Sequence, residues 1–149
     1  MKFVDGYLFP CRAKSAAAQV NGTLHELDKA GAKIDTLWFD IETNPSPGCG
    51  WGSNHAGNCQ YMVDLAVAAL NRGKSFGFYS SHYEWEAVVG SDCGLVRSRP
   101  LWFAEYDNSP SFDSFKRLPF GDFSDIKMKQ FTDAYHACGR DWDRDAKHK

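Results

Sequence analysis

The sequence lacks several features that would assign a protein to a class at first sight. Its apolar segments are short and interrupted, so we expect no transmembrane helix, and no apolar run typical of a signal peptide follows Met1. It has no Cys-x-x-Cys pair, which argues against a structural zinc site, and we expect no cofactor. The sequence also has no large excess of charge of either sign, since it contains 17 Lys and Arg residues and 19 Asp and Glu residues. Bulk charge therefore predicts neither nucleic acid nor a membrane as a partner.

The sequence does contain enough apolar material for a folded core. Hydrophobic residues make up 43% of the 149 residues and aromatic residues 15%, which excludes a disordered chain. We expect residues 1–149 to form a single domain, because this length suits one hydrophobic core.

Predicted strands and helices alternate along the chain. Short aromatic runs indicate strands, and apolar residues at helical spacing indicate helices. The predicted strands are Phe3–Pro10, a run that ends at Glu42, Ser75–Ser81, Leu101–Asp107 and Ile126–Thr132, and the predicted helices are Lys14–Ala30, Cys59–Arg72 and Tyr83–Val89. Such alternation is typical of an α/β fold with a parallel sheet and helices outside it. Ser15 and Asn58 are the expected N-caps of the first two helices.

Five cysteines leave the redox state open. They stand at positions 11, 49, 59, 93 and 138, so at least one thiol has no partner within the chain. Cys49 and Cys59 bracket a Gly-rich loop and are the best candidates for a disulfide if the protein is exported. In a cytosolic protein all five would stay reduced.

Two carboxylates placed two residues apart are the strongest chemical signal. Asp40 and Glu42 close the apolar run Thr36-Leu37-Trp38-Phe39, and residues i and i+2 of a strand point to the same side. Two acids so close disfavour joint ionisation, so one pKa rises while the other stays low. Glycoside hydrolysis uses such a pair, with one acid as proton donor and the other supporting positive charge on the sugar. The alternative is a surface strand end with two solvated acids.

Polar and aromatic residues also gather at the carboxyl-terminal ends of the other predicted strands. In a (β/α) barrel this end of the strands forms the active-site rim, and acids with aromatic rings there suggest a carbohydrate ligand. The rim candidates besides the two acids are Tyr7, Tyr79, Glu105, Tyr106 and Gln130. Trp51, in the loop after Glu42, is either a lid over the core or a plate for sugar stacking. Six aromatic residues inside strands are expected in the core: Trp38, Phe39, Phe76, Phe78, Trp102 and Phe103.

Five strings of residues together resemble a known family. In chain order, GYLFP, LWFDIE, FGFYSS, LWFAEYD and KMKQFTD are similar to the glycoside hydrolase family 25 lysozymes, or muramidases. The most specific piece is Asp-Ile-Glu at the end of a strand. The resemblance implies an irregular, TIM-like (β/α) barrel that cleaves the β-1,4 bond between N-acetylmuramic acid and N-acetylglucosamine in bacterial peptidoglycan. It also implies cell-wall degradation, antimicrobial defence and a secreted, lysosomal or phagosomal location.

The resemblance further implies roles for individual residues. Glu42 matches the proton donor, and Asp40 matches the acid that orients the substrate N-acetyl group, whose oxygen attacks the anomeric carbon, or stabilises the cation. Asp141 resembles an acid near the family's final strand, with Asp143 as a rival for that position. The substrate-binding residues implied in this way are Tyr7, Trp51, Tyr79, Tyr106, Gln130 and Asp141.

The start of the chain departs from the family pattern. Family members open with two further strand–helix units, and their first strand ends in an Asp on the catalytic rim, whereas this chain opens on what resembles the third strand. We therefore expect an incomplete barrel with two open sheet edges, through which copies of the chain could associate. The alternative to an active lysozyme is an inactive, lysozyme-like protein that binds carbohydrate.

Overall fold

The computed structural model describes residues 4–90, 93–94 and 96–148. Within them the chain forms β1 (Gly6–Leu8), α1 (Ala16–Lys29), β2 (Thr36–Asp40), α2 (His55–Asn71), β3 (Ser75–Ser80), α3 (His82–Val89), β4 (Pro100–Ala104), α4 (Asp113–Arg117), β5 (Asp125–Ala137) and β6 (Arg140–Lys147). The strands form one six-stranded sheet in the order of the sequence. No helix of these residues has the length and apolar character needed to cross a membrane.

The sheet is parallel from β1 to β5, as the alternation of elements predicts, and β6 returns antiparallel to β5. It also curls. Neighbouring strands lie about 4.8 Å apart, so β1 and β4 would be about 14 Å apart in a flat sheet. The rings of Tyr7 on β1 and Trp102 on β4 nevertheless have centroids only 6.5 Å apart. The described strands thus form a curled half-barrel that stays open between β1 and β6, and the closed TIM-like barrel is not confirmed.

The two faces of the sheet have different roles. The face covered by the helices carries the fully buried core residues Leu37, Phe39, Phe78 and Leu101. The register pairs Asp40 with Tyr79 and Tyr79 with Trp102, which places these three side chains together on the inner, concave face. Strand alternation thereby separates the core from the candidate site.

Two elements differ from the predicted ones at the carboxyl-terminal end. Residues 108–123, where no helix or strand is predicted, contain the short helix α4, and residues beyond the last predicted strand form β6. Cys138 and Gly139 make the hairpin turn with φ values of 53° and 71°. A two-residue turn of this kind favours Asn or Gly at both positions, and the charged sequence of β6 has no apolar alternation. The sequence therefore predicts neither the hairpin turn at residues 138–139 nor the strand β6.

Helix boundaries otherwise agree closely with the prediction. The Ser15 hydroxyl caps α1 by accepting a hydrogen bond from the Ala18 N–H, as predicted. Asn58 is not the N-cap of α2, because Asn54 takes that role and the helix begins earlier, at His55. The β1 prediction began at Phe3, which lies outside the described residues.

Two disulfides join segments that are far apart in sequence. Cys11 pairs with Cys49 and Cys59 pairs with Cys93, while Cys138 is free and exposed. The predicted Cys49–Cys59 pair is therefore wrong. The chain after β1 runs beside the loop after β2, where the Arg12 N–H donates to the Cys49 carbonyl at 3.2 Å, and proximity in sequence could not reveal this neighbour.

Removing the first disulfide should destabilise the fold measurably. We expect the double change Cys11→Ala and Cys49→Ala to lower the free energy of unfolding by about 3 kcal/mol, because the bond closes a long loop in the unfolded chain. Urea unfolding under non-reducing conditions measures this change. Cys138→Ala is the matched control and should leave the midpoint unchanged; a double variant as stable as the control would contradict the prediction.

Candidate active site

Asp40, the last residue of β2, is a buried carboxyl on the inner face. It is 2% exposed, and the Tyr7 hydroxyl donates a hydrogen bond to its Oδ2 atom, whereas Oδ1 has no hydrogen-bond partner among the described residues. Burial raises the pKa of Asp40 to about 7, with a smaller contribution from the negative charges of Glu42 and Glu84, although the bond from Tyr7 opposes the rise. Asp40 is therefore poised to change its charge near neutral pH.

Glu42 follows the strand end and is only half-buried. Strand pairing continues just beyond Asp40, since the Ile41 N–H donates to the Tyr79 carbonyl at 2.8 Å. Glu84 on α3 then holds the chain, because its carboxylate accepts a bond from the Thr43 N–H at 2.7 Å. Burial, and secondarily the charge of Glu84, raises the pKa of Glu42 above its ordinary value. A raised pKa keeps a carboxyl protonated at higher pH, as a proton donor requires. Both acids of the pair have raised pKa values because both are partly desolvated, so the expectation that one stays low is wrong.

Trp51 is a core residue that supports the backbone of Glu42. It is 7% exposed and packs edge-on against Tyr61, with ring centroids 5.7 Å apart. Its indole N–H donates to the Glu42 carbonyl at 2.8 Å. Its place in the hydrophobic core favours the lid over the core, and the sugar-stacking role stays a prediction.

Two cavities, each of about 400 Å³, share Glu42 in their linings. Glu42 and Tyr106 line both of them. The inner-face cavity is otherwise lined by Tyr7, Tyr79, Trp102, Gln130 and Asp143. The lining of the loop-side cavity combines apolar and polar side chains. The main apolar residues are Phe103, Phe115, Leu118 and Phe120, and the main polar residues are His82, Glu84 and Glu105. The two cavities therefore adjoin at Glu42 and Tyr106, and together they are called the cleft below.

Gln130 fixes two of the tyrosine side chains in the cleft. Its Oε1 atom accepts hydrogen bonds from the hydroxyl of Tyr79 and, at 3.0 Å, from that of Tyr106. Burial is the main cause that raises the pKa of both tyrosines. Both hydroxyls therefore remain neutral donors, and the rings are held in place rather than left free to rotate.

A buried lysine anchors the segment that carries Tyr106. Lys129 on β5 is fully buried, and its ammonium group donates to both carboxylate oxygens of Asp107 at 2.7 Å and to the Ser111 carbonyl at 3.1 Å. Burial alone would raise the pKa of Asp107, but the bond from Lys129 lowers it below its ordinary value. The wall between the two cavities is thus tied to β5.

Comparison with known proteins shows the family of the chain. The family model described as lysozyme-like protein 1 matches residues 1–131. Probable GH family 25 lysozyme 3 of Dictyostelium discoideum is 39% identical over 140 residues, which cover 91% of this chain and 28% of that protein. Lysozyme-like protein 5 of Caenorhabditis elegans is 37% identical over 133 residues, which cover 87% of this chain and 59% of that protein. The chain belongs to the family 25 lysozymes.

The fold of this family 25 chain agrees with a solved structure. The family GH25 lysozyme from Aspergillus fumigatus superimposes with a TM-score of 0.69 at 21% identity, covering 97% of this chain and 68% of that one. The half-barrel is therefore a shared fold. The chain spans less than two thirds of the length of the two curated relatives described above, at 59% and 28%.

The structure brings together most, but not all, of the residues predicted for the site of this family 25 chain. Tyr7, Tyr79, Tyr106 and Gln130 meet in the inner-face cavity with Glu42. Asp141 does not line it, because its carboxylate faces outward on the β5–β6 hairpin and lies 3.0 Å from the His136 ring. Its rival Asp143 lines the cavity instead. The two stand two residues apart on a strand that bulges against β5, so spacing alone could not choose between them.

In the inner-face cavity, sequence reasoning missed Trp102. Trp102 is predicted to be core, yet it is half-buried and lines the inner-face cavity. Its ring packs edge-on against that of Tyr79, with ring centroids 4.7 Å apart. Its indole N–H donates to Asp145 at 2.8 Å. Alternation within β4, where Leu101 and Phe103 are buried, was the available signal that Trp102 faces the other side.

Proposed function

We propose that this chain is a lysozyme-type glycosidase that hydrolyses the β-1,4 bond between N-acetylmuramic acid and N-acetylglucosamine in bacterial peptidoglycan. Glu42 is the proton donor and Asp40 assists it. The observation that carries the proposal is the position of Glu42, a carboxyl of raised pKa, at the junction of two cavities. A donor that acts within a chain of sugars needs room for one sugar on each side of the bond that breaks.

The inner-face cavity suits the sugar whose anomeric carbon is attacked. Asp40 lies behind this cavity and reaches it through Tyr7, which lines the cavity and donates its hydroxyl to Asp40 Oδ2. Through this contact Asp40 helps to orient the substrate acetamido group, whose oxygen attacks the anomeric carbon. Tyr79 and Trp102 offer ring surface to the sugar.

The proposed reaction proceeds in two steps. The acetamido oxygen bonds to the anomeric carbon as the glycosidic C–O bond breaks, and the Glu42 proton moves to the departing oxygen. Water next attacks the anomeric carbon, its proton passes to the Glu42 carboxylate, and the acetamido group is released. When Asp40 is ionised, at and above its pKa of about 7, its carboxylate supports the positive charge that develops between these steps.

Other expectations for the whole protein belong to the same proposal. The two disulfides support a secreted, lysosomal or phagosomal location, because such bonds persist in oxidising compartments. An irregular TIM-like barrel, and self-association through the open edges of the sheet, remain predictions. The residues that the structure describes contain no cluster of His, Cys, Asp or Glu suited to a metal ion.

A protein that binds carbohydrate without turnover is the second candidate. The open edge at β1 favours it, because Tyr7 is 50% exposed and the inner-face cavity has no wall beyond β1 among the described residues. Sugar binding without any new reducing ends would support this candidate over the enzyme.

The products of the reaction test the proposal. We expect the purified chain to release fragments of peptidoglycan whose reducing ends are N-acetylmuramic acid. Borohydride reduction followed by mass spectrometry identifies the reduced sugar at those ends. Glucosamine-type ends would show that the other glycosidic bond is cleaved, and the absence of new ends would reject hydrolysis by this chain.

A further inference from the structure

The loop-side cavity lies where the departing sugar must go, an assignment that rests on the proposed function. Tyr7, which binds Asp40, lines only the inner-face cavity, so the attacked sugar lies on that side of Glu42. The proton of Glu42 goes to the oxygen of the sugar that leaves. Because Glu42 and Tyr106 also line the loop-side cavity, the departing sugar continues into it.

The chemistry of this cavity is apolar in one part and acidic in another. Phe103, Phe115 and Phe120 contribute ring surface that suits the C–H face of a sugar. Glu84 and Glu105 add two carboxylates to that of Glu42, and the lining contains no Lys or Arg. The described structure gives the Glu105 side chain neither an ion pair nor a hydrogen bond, while Glu84 accepts a bond from the Thr43 N–H.

The two basic residues of α4, Lys116 and Arg117, do not line this cavity. Lys116 on α4 lies outside the lining and pairs with Asp113 at 2.8 Å. His82 lines the cavity, but its Nε2 atom lies 3.6 Å from the Glu86 carboxylate outside it. An anionic group entering the cavity would therefore meet like charge, and a cationic group would find opposite charge at Glu105 without displacing a partner of that side chain.

We infer that the loop-side cavity prefers a departing glucosamine unit with a free amino group over its N-acetylated form, and that Glu105 determines this specificity. The ammonium group gains attraction from carboxylates in a partly enclosed cavity, where charges are screened less than in open water. The acetamido group of the ordinary sugar is neutral and gains nothing comparable. Turnover, unlike binding, still requires an acetylated sugar in the inner-face cavity, because its acetamido oxygen is the attacking group.

Binding measurements separate this inference from catalysis. The probes are a β-1,4-linked glucosamine tetramer and its fully N-acetylated counterpart, both free of peptide, so that no peptide amine contributes. Each is titrated calorimetrically into the wild-type chain at low salt and about pH 6, where amines carry a proton. We expect the wild type to bind the glucosamine tetramer about tenfold more tightly.

The decisive variant is Glu105→Gln, with Glu26→Gln on the exposed surface of α1 as the charge-matched control. Glu105→Gln should reduce the preference about threefold to fivefold and leave affinity for the acetylated tetramer unchanged. Glu26→Gln should keep the full preference. Equal affinity of the wild type for the two probes, binding of neither, or the same loss in both variants would overturn the inference. A preserved preference with no release of reducing ends would instead reject only the proposed hydrolysis.

Discussion

Glu42→Gln should lower the rate of peptidoglycan hydrolysis by at least about 1000-fold while the fold stays intact. Glutamine has nearly the same shape as glutamate but cannot give a proton to the departing oxygen. The side chain is half-buried, and the backbone of residue 42 is held by Trp51 through its carbonyl, a bond that the substitution does not touch. The initial rate at which a peptidoglycan suspension clears measures the effect.

A matched acid outside the cleft controls for the loss of charge. Glu86 lies on α3 near His82 but lines neither cavity beside Glu42, so Glu86→Gln should clear peptidoglycan at nearly the wild-type rate. Thermal unfolding of both variants shows whether they remain folded. A Glu42→Gln chain that keeps more than about a tenth of the wild-type rate would exclude this residue as the proton donor.

Asp40→Asn should lower the rate by about 1000-fold and, at alkaline pH, make the protein more stable. Asparagine cannot offer a negative charge to the developing cation, although its carbonyl oxygen can still accept the Tyr7 hydroxyl. The stability gain arises because at alkaline pH the wild type carries a buried negative charge on Asp40, whereas asparagine is neutral. The pKa of Asp40 is about 7 in the fold against an ordinary 3.8, a difference worth at most about 4 kcal/mol.

The pH dependence gives the sign of this effect. Between about pH 4 and pH 7 the folded protein holds a proton on Asp40 that the unfolded chain has lost, so the stability of the wild type falls as pH rises through this window. The variant has no such proton. We expect urea unfolding to show a gain of about 2 kcal/mol for Asp40→Asn at pH 8 and almost none at pH 4. A variant less stable than the wild type at pH 8 would show that the fold stabilises the charged form.

The parallel sheet and the acid pair were readable because both follow from local rules. Alternating aromatic strands and capped helices predict β1 to β5, and the Asp-x-Glu spacing predicts two acids near one strand end. The structure refines that picture, since Glu42 stands just past the strand and is far less buried than Asp40. Strand alternation and residue spacing carry no information on how deeply a loop residue is buried.

What could not be predicted depends on contacts across the fold. The partner of Cys49 is decided by where the chain after β1 runs, not by the nearest cysteine in sequence. The roles of Asp141 and Asp143 depend on bulges between β5 and β6. Trp51 could not be assigned from a Gly- and Pro-rich loop, because such loops can lie on the surface or fold back over the core.

The bond from the Trp51 indole to the Glu42 carbonyl, in a loop tied to the chain after β1 by Cys11–Cys49, has a consequence for how catalysis begins. The proposed donor, Glu42, is preorganised, because its backbone is oriented during folding rather than when a glycan arrives. The entropy of placing this carboxyl is then lost once per folding event rather than once per turnover.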